Sequence, residues 1–169
     1  MYEPREDSFL LLKNIKKYIK PEYKVLDMGT GSGILAKEAS KYTKKVIATD
    51  IDGEIIKKLK KENKKIKFIN SNLFSNIKGK FDLILFNPPY LPSKKIKDRE
   101  IDGGINGVEI IEKFLKQAKN YLKTNGRILL VCSSLNKNVE KLFKKYRYYF
   151  KKIDETNLFF EKLFIYELK

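Results

Sequence analysis

Apolar and polar positions along the chain change their period several times, and each change marks an element. Between Ser8 and Ile19 the apolar side chains Phe9, Leu12, Ile15 and Ile19 recur at the spacing of one helix face. Asp7 or Ser8 stands where a helix cap belongs, and Pro21 ends the helix. Lys24 to Met28 is a short apolar run carrying Asp27 near its end, a strand by its length. A turn of alternating glycines follows, Gly29-Thr30-Gly31-Ser32-Gly33, and then a helix from Ile34 to Tyr42. The same alternation predicts a strand over Lys45–Thr49 ending at Asp50, a helix over Gly53–Glu62 and a short strand over Ile66–Asn70. A further strand, Phe81–Phe86, is broken by Asn87-Pro88-Pro89. Beyond it lie a helix over Gly107–Leu122, a turn at Asn125-Gly126, a strand over Arg127–Cys132 and a helix over Asn136–Tyr146. Tyr149–Ile153 and Leu163–Leu168 complete the pattern as a terminal hairpin.

Strands that alternate with helices predict an α/β, Rossmann-like fold. The expectation is a mostly parallel seven-stranded sheet with helices on both faces and an antiparallel C-terminal strand. Residues 1–169 read as a single domain, with no internal repeat or linker. The longest irregular stretch runs from Leu91 to Gly107, first basic (Lys94, Lys95, Lys97) and then glycine-rich (Gly103, Gly104, Gly107). Long loops in compact domains tend to carry function.

Composition adds exclusions. The chain contains no histidine, which removes Ser-His-Asp and Cys-His triads, histidine bases and histidine metal ligands, and no metal site is expected. The single cysteine, Cys132, lies in an apolar run and reads as a packing residue, with no disulfide framework within the chain. No run approaches the ~18 apolar residues of a membrane span, and Met1 to Asp7 is polar, without a signal-peptide core. The cytoplasm is the expected location. The net charge is +16. Such an excess suits a nucleic-acid partner bound through a basic surface, and it equally suits a lysine-rich solvated face, because the lysines are spread along the chain.

Two segments carry chemistry. The glycine turn follows a strand and opens a helix, so backbone N–H groups can approach a ligand closely. Its Gly-x-Gly-x-Gly spacing departs from the dinucleotide fingerprint, and Asp27 would repel a phosphate at that place. A carboxylate there suits a cationic ligand such as S-adenosylmethionine, which carries an ammonium and a sulfonium and no phosphate. Asp50 ends the next strand, 23 positions after Asp27, where a carboxylate can accept from both ribose hydroxyls; Ile51 beside it offers an apolar wall for the base.

The second segment is Asn87-Pro88-Pro89-Tyr90 at the end of an apolar strand. An amide or aniline-like NH2 is a poor nucleophile because its lone pair is delocalised. If its hydrogens bond to fixed acceptors, Asn87 Oδ1 and the Pro88 carbonyl, the lone pair can be aimed at a methyl donor while Tyr90 covers the planar group. Placement then does most of the work, and no strong base is needed.

Together these segments resemble class I methyltransferases of the amino-methylating type, and more narrowly the HemK/PrmC family in its short archaeal and eukaryotic branch. Tyr2 to Leu11 is similar to the segment that closes over the cofactor in that family, and Asp102-Gly103-Gly104 with Gly107 to its later glycine segment. The resemblance implies a methyltransferase acting on the Gly-Gly-Gln glutamine of a class I translation release factor. It also implies a small zinc-binding activator subunit. That subunit would dock on the edge strand 66–70, although Lys64, Lys65 and Lys67 also read as an edge guarded against strand addition. By the same resemblance Ser8 and Gly29 lie against the methionine part, Asp27 near its charged end, Gly31 in the cofactor turn, and Asp50 on the ribose. Asn72 and Leu73 border the adenine, and Asn87 bridges cofactor and substrate. Family members often carry Asp where Asn72 stands; its carbonyl oxygen can still accept from an amine. The alternative reading is an amino-methyltransferase of RNA or DNA, since adenine N6 and guanine N2 pose the same lone-pair problem.

Overall fold

A computed structural model of the chain describes residues 3–93 and 102–169. Lys94, Lys95 and Lys97 of the long loop, and Tyr2 at the start of the closing segment, lie outside the described residues. In chain order the first half holds α1 (Glu6–Tyr18), β1 (Lys24–Met28), α2 (Ile34–Ala39), β2 (Lys45–Asp50), α3 (Gly53–Glu62), β3 (Lys67–Asn70) and β4 (Phe81–Phe86). The second half holds β5 (Leu91–Pro92), β6 (Asp102–Gly104), α4 (Glu109–Ala118), β7 (Leu122–Ser133), α5 (Val139–Lys145), β8 (Phe150–Asn157) and β9 (Lys162–Leu168).

Seven strands form one sheet in the order β3-β2-β1-β4-β7-β9-β8. The first five run parallel, and β9 is antiparallel to both β7 and β8. Parallel strands covered on both faces read as nearly unbroken apolar runs, which is why β1, β4 and β7 are so hydrophobic. Side chains alternate between the faces. Val25, Leu83, Leu85, Leu129 and Val131 pack in the core that holds α1, α2 and α3. Leu26, Ile84, Phe86, Ile128 and Leu130 pack in the core that holds α4 and α5. In that second core the Phe114 ring sits 5.4 Å from Phe74 and 4.5 Å from Phe86, centroid to centroid.

The architecture is the expected one, and β3 is indeed an edge strand, though it starts at Lys67 with Ile66 buried just before it. Elsewhere boundaries moved for identifiable reasons. Neither Asp7 nor Ser8 caps α1; the helix starts at Glu6 after Arg5, without a side-chain cap. Asn125-Gly126 is a bulge and not a turn between elements: pairing jumps from Phe81–Leu122 to Leu83–Arg127, so the strand begins five residues early. That early start, and a 3-10 turn over Lys119–Tyr121, shorten α4. The stretch from Leu91 to Gly107, expected to be irregular, holds the short parallel pair β5–β6. Among the described residues no helix is long and apolar enough to cross a membrane.

Candidate active site

The register of the sheet sets the rim of the site. Met28 pairs with both Thr49 and Phe86, so the glycine turn, Asp50 and Asn87 emerge side by side at the carboxyl ends of β1, β2 and β4, the place where open α/β sheets bind ligands. A cavity of about 870 Å³ opens there, within the range of small-molecule and cofactor sites. Ser8, Gly29, Gly31, Asp50, Ile51, Asn72, Leu73, Asn87, Pro88, Pro89 and Tyr90 all line it.

Gly29, Gly31 and Gly33 have φ of +65°, +50° and +78°, a left-handed backbone that side chains rarely adopt, and this is why the turn is written in glycine. The Gly31 N–H donates to Asp50 Oδ2 at 2.9 Å and the Asp52 N–H to Asp50 Oδ1 at 3.0 Å, so the Asp50 carboxylate is held at the mouth of the turn. Ile51 next to it is 54% exposed. Asn72 is exposed, and Leu73 has φ of +47°, a strained conformation for a branched side chain that costs about 1 kcal/mol. The Ser71 hydroxyl donates to the Leu73 carbonyl at 2.8 Å and helps to hold it.

Asp27, expected near the charged end of the cofactor, lies deeper than the rest of the turn. It is wholly buried beneath the turn and is not among the residues lining the cavity. Its Oδ2 accepts from the Thr30 hydroxyl at 2.5 Å and from the Ala36 N–H at 3.1 Å, stitching the turn to the first residues of α2. Burial pushes its carboxyl up to about 7; the Thr30 and Ala36 hydrogen bonds oppose that rise, and the Asp50 charge adds to it.

At the end of β4 the Asn87 amide donates through Nδ2 to the Ser8 hydroxyl at 3.3 Å. Its Oδ1 is buried and has no hydrogen-bond partner among the described residues. The Tyr90 hydroxyl donates to Asp7 Oδ2 at 3.2 Å, and its ring packs against the core on the α1 side. The first turn of α1 therefore grips both ends of the Asn-Pro-Pro-Tyr segment. From behind, Asn136 Nδ2 donates to the carbonyls of Tyr90 (2.7 Å) and Gly107 (2.8 Å), while its Oδ1 accepts from the Ser133 N–H at 2.7 Å. A Cβ on Gly103 would lie 2.7 Å from the Pro89 carbonyl oxygen, so the glycine segment is small in order to let the two backbones meet.

Several site residues escaped the sequence reading. Asp7 reads from sequence as a possible cap within the closing segment, with no role of its own, and Asn136 only as the first residue of a helix. Leu158, Glu161 and Leu163 of the β8–β9 hairpin also line the cavity; no local motif marks them. Among the described residues the lining carries six carboxylates, Glu6, Asp7, Asp50, Asp52, Asp102 and Glu161, against two cations, Arg5 and Lys113. An acidic cavity thus sits in a chain of net charge +16.

Comparison with known proteins agrees with this geometry. Residues 6–160 match the family described as the methyltransferase small domain. A Methanocaldococcus jannaschii protein, provisionally named a protein N5-glutamine methyltransferase, is 42% identical over 158 residues, 85% of this chain and 78% of that protein. The release factor glutamine methyltransferase of Borreliella burgdorferi is 36% identical over 124 residues, 63% of this chain but 43% of that protein, so the chain spans less than half of that relative. Among solved structures, a chain of the E. cuniculi Mtq2–Trm112 complex, described as responsible for methylating the eRF1 translation termination factor, superposes with a TM-score of 0.82. That alignment covers 99% of this chain and 97% of the other at 23% identity, a likeness of fold. A T. thermophilus 16S rRNA methyltransferase, RsmC, solved with AdoMet and guanosine, superposes at 0.75 with 20% identity, covering 99% of this chain and 44% of its own. The chain belongs to the methyltransferase small domain family.

Proposed function

We propose that the chain methylates the side-chain amide nitrogen of the Gly-Gly-Gln glutamine in a class I translation release factor, with S-adenosylmethionine as methyl donor. The observation that carries the reading is Asn87 Oδ1, a buried acceptor without a partner among the described residues, on a side chain that lines the cavity. Buried polar atoms in native structures are almost always satisfied, and the N–H of a substrate amide is a donor that would satisfy this one.

The residues present suit the donor molecule. Asp50 would accept from the ribose hydroxyls, with Ile51, Asn72 and Leu73 around the adenine, and the side-chain-free turn at Gly29 and Gly31 would admit the methionine part beside Ser8. The acidic lining favours a cation. The chemistry so supplied is an electrophilic methyl group on a sulfonium sulfur. The protein's part is placement. Ser8 takes up Asn87 Nδ2, which leaves Oδ1 to accept one amide hydrogen, and the Pro88 carbonyl is the natural acceptor for the other. With both hydrogens committed, the nitrogen lone pair has a fixed direction. Tyr90, tied to Asp7 and Asn136, walls the pocket.

The release factor as substrate is supported by what the relatives are named for, and a small activator subunit by the two-protein complex that shares the fold. The exposed edge at β3 suits strand addition by such a subunit. A nucleic-acid substrate is the weaker reading, because the relatives are named for a protein glutamine and the six carboxylates among the described lining residues would repel phosphates.

The test is transfer of labelled methyl to a class I release factor, with and without a small zinc-binding partner. Label is expected on the Gly-Gly-Gln glutamine and is expected to vanish when that glutamine is replaced by alanine. Label on RNA or DNA with none on the protein would overturn the substrate while leaving the chemistry intact.

A further inference from the structure

The β8–β9 hairpin ends in two phenylalanines that nothing in the site uses. Phe159 is 92% exposed and Phe160 87% exposed, their rings edge-to-face at 4.7 Å. Adjacent apolar side chains exposed together at the rim of a cavity are the kind of feature through which a protein meets a partner. The tip is firmly held. The Leu158 N–H donates to the Glu161 carbonyl at 2.7 Å, closing the turn, and the Glu161 carboxylate accepts from the Ser133 hydroxyl. The Ser134 N–H and hydroxyl engage the Lys162 backbone at 2.8 and 3.0 Å. Its position follows from the register: Ser133, the last residue of β7, pairs with Leu163, so the turn projects beyond the carboxyl ends of the parallel strands. Leu158, Glu161 and Leu163, on either side of the phenylalanines, line the same cavity as Asn87. The pair therefore stands on the rim of that cavity, outside its interior.

We infer that Phe159 and Phe160 are a docking anchor for the protein whose side-chain amide enters the cavity. This rests on the function proposed above. A glutamine reaching Asn87 brings its own backbone and neighbouring surface over the rim, so the substrate protein is the occupant whose placement is continuous with the site. The tip asks of it an apolar recess that takes aromatic rings, the kind of contact that dominates protein interfaces. Contacts so far from the reacting nitrogen act on binding of the protein and leave the chemical step alone.

The experiment compares the parent enzyme, together with its activator if one is required, with the double variant Phe159→Ser, Phe160→Ser. Three quantities are measured: KM and kcat on the intact release factor, the same on a short Gly-Gly-Gln peptide, and the affinity for S-adenosylmethionine. The expected result is a KM for the intact protein raised at least tenfold, with kcat, peptide turnover and cofactor affinity within about twofold of the parent. Phe160→Ala alone is expected to give a smaller rise in the same KM, and it serves as the test if the double variant does not fold. An unchanged KM in a parent that does methylate the release factor overturns the inference. So does an equal loss on the peptide, which would make the tip part of the cavity, or a loss of activator binding or a change in oligomeric state, which would assign the tip to another occupant. A parent that leaves the release factor unlabelled defeats the function proposed above, and with it the occupant named here.

Discussion

Asn87 and Asp50 stand on neighbouring rims of one cavity but make different contacts, so their removal should separate two observables. Asn87 Oδ1 faces the reacting nitrogen in the proposed function; Asn87→Ala is expected to lower kcat at least 100-fold and to change cofactor affinity only a few-fold. Asp50, held by the N–H groups of Gly31 and Asp52, would accept from the ribose; Asp50→Ala is expected to weaken cofactor binding at least tenfold, with a smaller effect on turnover at saturation. Calorimetric titration beside single-turnover rates distinguishes them, and a rate within about twofold for Asn87→Ala would remove the role given to that residue. Asp27 makes a prediction about pH. Its carboxyl is raised from an ordinary value of 3.8 to about 7 by burial. The folded state therefore holds the proton more tightly than the unfolded chain, and the stability this group contributes at low pH drains away as pH rises from about 4 to about 7. Asp27→Asn keeps an acceptor for Thr30 and Ala36 without the ionisation. Relative to the parent it should gain more than about 1 kcal/mol across that window in denaturant unfolding; a difference that does not vary with pH would contradict the assignment. The residues that could be read from sequence were those whose chemistry is contiguous, the glycine turn and Asn-Pro-Pro-Tyr. Asp7 and Asn136 could not, because their partner Tyr90 is 83 and 46 positions away and nothing local marks the pairing. Asp27 was legible as a motif residue but not as a buried one, since depth is a property of the packed sheet.

At the scale of elements, the Asn-Pro-Pro-Tyr segment is rigid because three others hold it: the first turn of α1 through Ser8 and Asp7, the glycine segment at β6 by the close approach of Gly103, and the turn between β7 and α5 through Asn136. The buried Asn136 side chain makes three hydrogen bonds, two of them donated to the backbone carbonyls of Tyr90 and Gly107. Replacing it with alanine removes both donations and loosens the loop; kcat is expected to fall about tenfold with cofactor affinity nearly unchanged, and Asn136→Asp, which sets a carboxylate against the same carbonyls, to be worse. Kinetics unchanged from the parent in both variants would show that the donor is dispensable. Helix α4 is held by a different means, the Phe114 ring between Phe74 and Phe86, and Phe114→Ala should cost about 3–5 kcal/mol in chemical denaturation. Most elements were visible as changes of period. Those that were not, the early start of β7 and the β5–β6 pair, depend on pairing partners: Leu122 is strand because Phe81 lies opposite, and Leu91 because Asp102 does.

At the scale of the whole molecule, a net charge of +16 surrounds a cavity whose lining is acidic. An acidic lining of this kind suits a cationic cofactor. If S-adenosylmethionine binds the folded state alone, as proposed, then at 100 times its Kd it should add about 2.7 kcal/mol to stability, and thermal unfolding of Asp50→Ala at the same concentration should show much less. The sheet order has a temporal meaning as well. β9 comes after β8 in the chain but lies between β7 and β8. During synthesis from the N-terminus, β8 has no neighbour to pair with until residues 162–168 have emerged, and Leu163 on the cavity wall arrives with them. A nascent chain can have its glycine turn and Asn87 in place and still have an open-sided cavity, so the cavity wall is completed in one later step, when β9 slides in between β7 and β8.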